Sequence, residues 1–185
     1  MKIKYLFMSL LFLAITACDT DTEEPNSSVF EFTQVYSGDA DFSSYVAMGG
    51  GVTAGMTDNS LFMAGQMGSY PNIMASVMSQ TDTGGEFTQP YVDDNVGGIN
   101  VGGNQFWGPR FFFDGAGPAQ VPGTPSTEAT NVVPGPYSNL AFPFANAIVN
   151  VAPGAGSLEG LAVGLANPWY VRAASSNDAT ILGDA

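Results

Sequence analysis

Apolar positions fall in short runs separated by stretches rich in glycine and proline. The clearest run is Tyr45-Val46-Ala47-Met48, which passes straight into Gly49-Gly50-Gly51 and on to Val52-Thr53-Ala54-Gly55. A continuous apolar run bounded by turn residues predicts a buried strand. Glycines directly after it let the backbone turn sharply and bare its N–H groups. The next signal is helical. Ser69 can cap, Pro71 suits a first turn, and Ile73/Val77 and Met74/Met78 each sit four apart. That spacing predicts a helix whose apolar stripe packs on a sheet, with its methionines in the core. Strand, glycine turn and helix together place a site at the carboxyl end of the first strand, as in many α/β proteins.

Other segments carry weaker patterns. Phe30–Tyr36 alternates and predicts a short strand or extended lead-in, followed by a turn at Ser37–Asp41. Residues 86–136 read as an insertion of short strands and turns. Within it, Val96-Gly97-Gly98-Ile99-Asn100 is nearly repeated by Val101-Gly102-Gly103-Asn104, and Phe106-Trp107-Gly108-Pro109-Arg110-Phe111-Phe112-Phe113 follows. Leu140–Val151 predicts a second strand and its turn. Leu158–Leu165 has weak helical spacing broken by Gly160 and Gly164, and Asn167-Pro168 marks a turn. No terminal element is expected at Leu182–Ala185.

The first 17 residues combine Lys2 and Lys4 with an apolar stretch from Tyr5 to Ala17. The stretch is too short to span a bilayer and fits a secretory signal. Small residues precede Cys18, the one cysteine of the chain. This resembles a bacterial lipoprotein signal, which implies cleavage before Cys18 and its acylation. The alternative is an ordinary signal with a free thiol. Residues 18–29 form an acidic, polar tether. They resemble the surface-export signals of Bacteroidetes-type lipoproteins and equally fit a plain linker.

Composition narrows the chemistry. The 185 residues suit one domain, and 23 Gly with 12 Pro argue for a loop-rich β or α/β fold. The formal net charge is −13, and the basic residues are Lys2, Lys4, Arg110 and Arg172, so nucleic acid is excluded as a partner. The absence of histidine removes the commonest general base and metal ligand. A Ser–Lys pair is ruled out because both lysines lie in the signal. What remains at the glycine turn is a weak nest of backbone N–H groups. Asp93-Asp94-Asn95 with Asn100 and Asn104 offers hard oxygen ligands for Ca²⁺, or simply a solvated acidic turn. Their spacing matches no known loop pattern, and no metal or cofactor is expected. Phe106, Trp107 and Phe111–Phe113 read as core or a covered strand. The alternative is an aromatic surface that stacks on sugars or receives acyl chains. Arg110 among them needs a carboxylate or carbonyl partner.

The block Tyr45–Gly55 resembles the first block of the SGNH (GDSL) hydrolases, esterases and lipases whose strand ends in Gly-Asp/Asn-Ser-Leu-Thr-Ala-Gly. Ser69-Tyr70-Pro71-Asn72-Ile73-Met74 is similar to the opening of their next helix. Phe87-Thr88-Gln89-Pro90, Gly102-Gly103-Asn104-Gln105 and Gly164-Leu165-Ala166-Asn167-Pro168 resemble the Bacteroidetes lipoprotein branch. The likeness covers residues 30–185 and the amino-terminal part of a full-length member. It implies an α/β/α three-layer sandwich, incomplete because the Gly-x-Asn-Asp and Asp-x-x-His blocks would lie beyond Ala185. It also implies an envelope protein held to the outer membrane through Cys18. Gly51 stands where the family has its nucleophilic serine, and Gly50 at the Asp/Asn before it. Asn139–Ala145 resembles the second block, with Phe144 at the oxyanion-hole glycine. The resemblance therefore implies ester hydrolysis as the parent activity and an inert chain here. A surface lipoprotein that binds glycan or lipid through the aromatic insertion is the alternative, as is a non-functional gene fragment.

Overall fold

The computed structural model describes residues 35–133 and 135–185, all of which fall in one compact unit. The expected signal (1–17), Cys18, the tether (18–29) and most of the alternating stretch after it lie outside the described residues.

The first apolar run forms β1 (Ala47–Gly49), as expected, and its partner β6 (Asn139–Ala141) comes from the second. They are parallel neighbours, with Ala47 opposite Asn139, Met48 opposite Leu140 and Gly49 opposite Ala141. The ladder is extended at both ends. The Ala47 N–H donates to the Ser138 carbonyl at 2.8 Å, and the Phe142 N–H to the Gly49 carbonyl at 3.1 Å. A parallel pair needs a long crossover, and here it runs through residues 50–138. It begins with α1 (Gly51–Ala54), α2 (Met63–Met67) and α3 (Tyr70–Met78). Two antiparallel pairs follow. These are β2 (Ile99–Val101) with β3 (Asn104–Trp107), and β4 (Phe111–Phe113) with β5 (Pro118–Gln120). The stretch read as strands and turns thus holds four strands and, among its described residues, no helix.

The two Val-Gly-Gly segments do different work. Gly102 and Gly103 form the β2–β3 hairpin turn, with φ of +59° and +77°. Two successive left-handed residues match the twist of a hairpin, and glycine adopts them without strain. The Glu128 carboxylate accepts both of their N–H groups, at 2.9 and 2.8 Å. Gly97 and Gly98 instead pack beneath Ser60 and the Trp107 carbonyl.

After β6 come four short helices: α4 (Ala147–Val151), α5 (Leu158–Ala162), α6 (Pro168–Val171) and α7 (Ile181–Asp184). The last is a terminal element that the sequence did not predict. Thr180 caps it, Ile181 is fully buried, and the Asp184 carboxylate accepts the Tyr170 hydroxyl at 2.7 Å. Residues from Asn167 form α6 rather than a turn. The Asn167 side chain caps the Trp169 and Tyr170 N–H groups, and Pro168 takes the first helical position, where its missing N–H costs nothing. The core gathers Leu61, Val92, Ile99, Leu140, Phe142, Trp169, Tyr170 and Ile181. Burying an aliphatic side chain of this size contributes about 1.5–3 kcal/mol.

The helix α3 forms where expected but faces the other way. Pro71 and Ala75 are its buried positions, whereas Ile73, Met74 and Val77 are exposed. Its buried positions are small, and its larger apolar residues lie outside. No described helix is long and apolar enough to cross a membrane.

Candidate functional site

Because β1 and β6 are parallel neighbours, their carboxyl ends lie side by side. Two turns leave from that edge. The turn after β1 is Gly49-Gly50-Gly51, and close approach rather than unusual dihedrals calls for glycine at its first two positions. A Cβ on Gly49 would collide with the Thr53 side chain, and one on Gly50 would lie 3.1 Å from the Ala145 carbonyl oxygen. Gly51 is the first residue of α1. A Cβ there would sit 3.1 Å from Met56 Sδ, the end of a flexible side chain. The turn carries no reactive side chain, and the one-turn helix behind it offers little dipole.

The turn after β6 is Phe142-Pro143-Phe144-Ala145. Phe142 points into the core and stacks at a tilt on Tyr170, with centroids 5.3 Å apart. Phe144 has φ of +65° and is 53% exposed. Among the described residues the other left-handed non-glycine positions are Asp58 and Asn59, types that tolerate this region. For a bulky residue it costs on the order of 1–2 kcal/mol. Three contacts hold Phe144. Its ring meets Trp107 edge-on at 5.0 Å and Trp169 at 5.5 Å, and Asn167 Nδ2 donates to the Pro143 carbonyl at 2.7 Å. Trp169 also touches Phe106 at 6.1 Å. Trp107 is fixed in turn by its indole N–H, which donates to the Asn59 carbonyl at 2.7 Å.

The structure thus brings Gly50, Gly51 and Phe144 to one edge and adds Phe106 and Trp107 from β3. The aromatic cluster seen in the sequence divides. Phe106 and Trp107 join this edge, while Phe112 and Phe113 lie exposed on β4. Phe106 is also exposed, so the expectation of a covered strand or core is corrected for these three residues. They stand partly exposed on the β2–β3 and β4–β5 hairpins. Asn167 and Trp169, which position Phe144, were missed in the sequence. An Asn-Pro pair ahead of apolar residues is a helix start as well as a turn, and that signal was available.

The other candidate residues do not converge. Asp93 pairs with Arg172 at 3.1 Å. Asp94 turns into its own loop and accepts from the Gly97 N–H at 2.8 Å and from Ser126 through both N–H and hydroxyl. Burial acts to raise its pKa, but these bonds outweigh it and hold the carboxyl below its usual range. Asn95 accepts from the Ala64 N–H, and Asn100 and Asn104 donate to carbonyls of Pro125 and Gly102. Among the described residues no three His, Cys, Asp or Glu side chains are placed to share a metal ion.

Both arginines are occupied. Arg172 is 2% exposed and donates to the Tyr91 carbonyl as well as to Asp93. Burial lowers its pKa and the Asp93 charge opposes that shift. Arg110 Nε donates to the Asn95 carbonyl at 2.9 Å, and its guanidinium lies 4.9 Å over the Phe62 ring. It has the carbonyl partner that the sequence called for.

A separate cleft of about 590 Å³ is lined by Tyr137, Leu140, Ala173, Ser175 and Asp184. Asp184 is already engaged there by Tyr170 and by the Ser175 N–H at 3.1 Å. Burial, followed by the Asp184 hydrogen bond and charge, pushes the Tyr170 hydroxyl well above its ordinary pKa, so it stays a donor. Compared with known proteins, the chain matches no family model, no curated protein and no solved structure.

Proposed function

We propose that this chain is a catalytically inert relative of the SGNH/GDSL ester hydrolases, a lipoprotein of the bacterial cell envelope anchored through Cys18. In this reading the parallel pair β1–β6 belongs to the central sheet of an α/β/α sandwich. The observation that carries it is the juxtaposition of Gly50-Gly51 with Phe144 at the carboxyl ends of adjacent parallel strands. The resemblance assigns those positions to the nucleophile turn and to the oxyanion-hole glycine. Phe144 has the left-handed backbone that a glycine takes freely, which supports placing it at a family glycine.

The inert half of the proposal follows from chemistry. A serine nucleophile needs a base within hydrogen-bond reach, and the chain has neither a serine at position 51 nor a histidine anywhere. The test is hydrolysis of p-nitrophenyl acetate and butyrate by the full chain and by Gly51→Ser. Neither is expected to turn over above background. Hydrolysis by the unmutated protein that survives repurification would overturn the inert reading, and serine-dependent burst kinetics in the variant would reveal a base.

A second reading is favoured by the exposure of Phe106 and Phe144 at the same edge. It makes the protein a ligand-binding lipoprotein whose aromatic side chains meet a glycan or an acyl group.

A further inference from the structure

We propose that the outward apolar face of α3 lies on the surface of a lipid bilayer with electrically neutral headgroups. The inference deepens the anchored-lipoprotein reading above and rests on it. It does not depend on the esterase lineage.

The pattern of exposure is the first observation. Tyr70, Ile73, Met74 and Val77 stand at i, i+3, i+4 and i+7 of one helix, so they form a single stripe. These four, with Met67 at the end of α2, are between 43% and 61% exposed. Val52 is exposed too, and it lines one cleft with Tyr70. Pro71 and Ala75 hold the other side of the helix in the fold. An apolar stripe turned outward marks a surface that meets something other than water.

The second observation is independent and concerns the polar groups around the stripe. The Asn72 amide donates to the Met67 carbonyl at 2.7 Å, and the Ser76 hydroxyl to the Ile73 carbonyl at 2.7 Å. The Ser79 hydroxyl donates to the Ser76 carbonyl at 3.0 Å, and the Thr81 hydroxyl to the Met78 carbonyl at 2.7 Å. The Tyr70 and Thr53 hydroxyls pair at 3.1 Å. Donors already satisfied from within lose little when water is withdrawn. For the same reason they have little to offer a protein partner, whose interface would carry hydrogen bonds of its own.

Charge and attachment select the occupant. Between residues 42 and 81 the sequence has one charged residue, Asp58, in a chain of net charge −13. No basic side chain there draws the face to anionic headgroups, and a second copy would bring the same negative charge. The chain toward Cys18 leaves the described fold beside this helix. At the C-terminal end of α3 the Val35 N–H donates to the Gln80 carbonyl at 3.3 Å, and its carbonyl accepts the Asp82 N–H at 3.2 Å. From there to Cys18 the chain spans at most about 60 Å. A lipid anchor at Cys18 therefore keeps α3 close to a bilayer.

The experiment uses the full chain carrying Cys18→Ser, which cannot be acylated, and sediments it with phosphatidylcholine vesicles. Ile73→Ser/Val77→Ser should lower the bound fraction's partition coefficient about tenfold. The control pair Ile148→Ser/Leu165→Ser, equally apolar and exposed elsewhere, should leave it unchanged. All four positions are exposed, so the melting transitions should stay close to that of the parent. A tryptophan at Ile73→Trp should shift to the blue on vesicles and be quenched by brominated acyl chains, and one at Leu165→Trp should not. The inference is overturned if the chain does not sediment with vesicles, if the Ile73/Val77 pair has no effect, or if both pairs act alike. A dimer that forms without lipid and is dissolved by Ile73→Ser/Val77→Ser would also overturn it, by giving the stripe to a second copy. The anchor is read separately, by mass spectrometry of the amino terminus from a bacterial host that acylates lipoproteins. An unmodified Cys18 there would overturn the anchored reading and this inference with it, whereas failure on vesicles with Cys18 acylated in the host would overturn the inference alone.

Discussion

The turns that leave β1 and β6 start side by side and are built in opposite ways. After β1 the side chains are removed, because the Thr53 side chain, the Ala145 carbonyl and Met56 stand where Cβ atoms would go. After β6 the side chains are enlarged, and Phe144 sits on a backbone that glycine would adopt more easily. Steric necessity accounts for the first turn. It works against the second, whose form is imposed by Asn167 and the two tryptophans around the ring. A gap and a projecting ring thus meet at one sheet edge.

The contrast is broken most severely by Asn167→Ala. That change removes the cap of α6 and strands the Pro143 carbonyl, costing about 2–3 kcal/mol. Urea denaturation should show a lower midpoint, and Trp107 emission should shift as Phe144 loses its seat. A smaller loss is expected from Gly49→Ala, which forces a methyl group against Thr53. Overpacking of this kind costs about 1–3 kcal/mol. An unchanged thermal transition would mean that the first turn is not sterically required. The mildest change is Gly51→Ser, since Met56 can move aside and serine is the better helix former. Its stability should lie within about 1 kcal/mol of the parent. A larger drop, read by the same melting curve, would show that glycine is needed at all three positions.

The first of these turns was legible in the sequence, because an apolar run that meets consecutive glycines is a local signal. The extent of α3 was legible for the same reason. Its orientation was not. Apolar residues at positions 73, 74 and 77 look like a core stripe, but the positions the fold buries are Pro71 and Ala75. The aromatic edge was half legible. Phe106 and Trp107 stood out by type, whereas their partners Phe144 and Trp169 lie 37 or more positions along the chain. The Arg172–Asp93 pair spans 79 positions and left no local trace. Nothing in composition distinguishes a phenylalanine on a left-handed backbone from any other.

The enclosure of Arg172 also shapes how the molecule looks from a distance. One guanidinium lies inside the fold and the other is laid across Phe62, so the outward coat is that of a polyacid. Around such a coat small cations gather, and in physiological salt its field reaches about 8 Å. Two copies drawing together would feel repulsion before their surfaces met. Crowded together at low salt, they would space themselves apart.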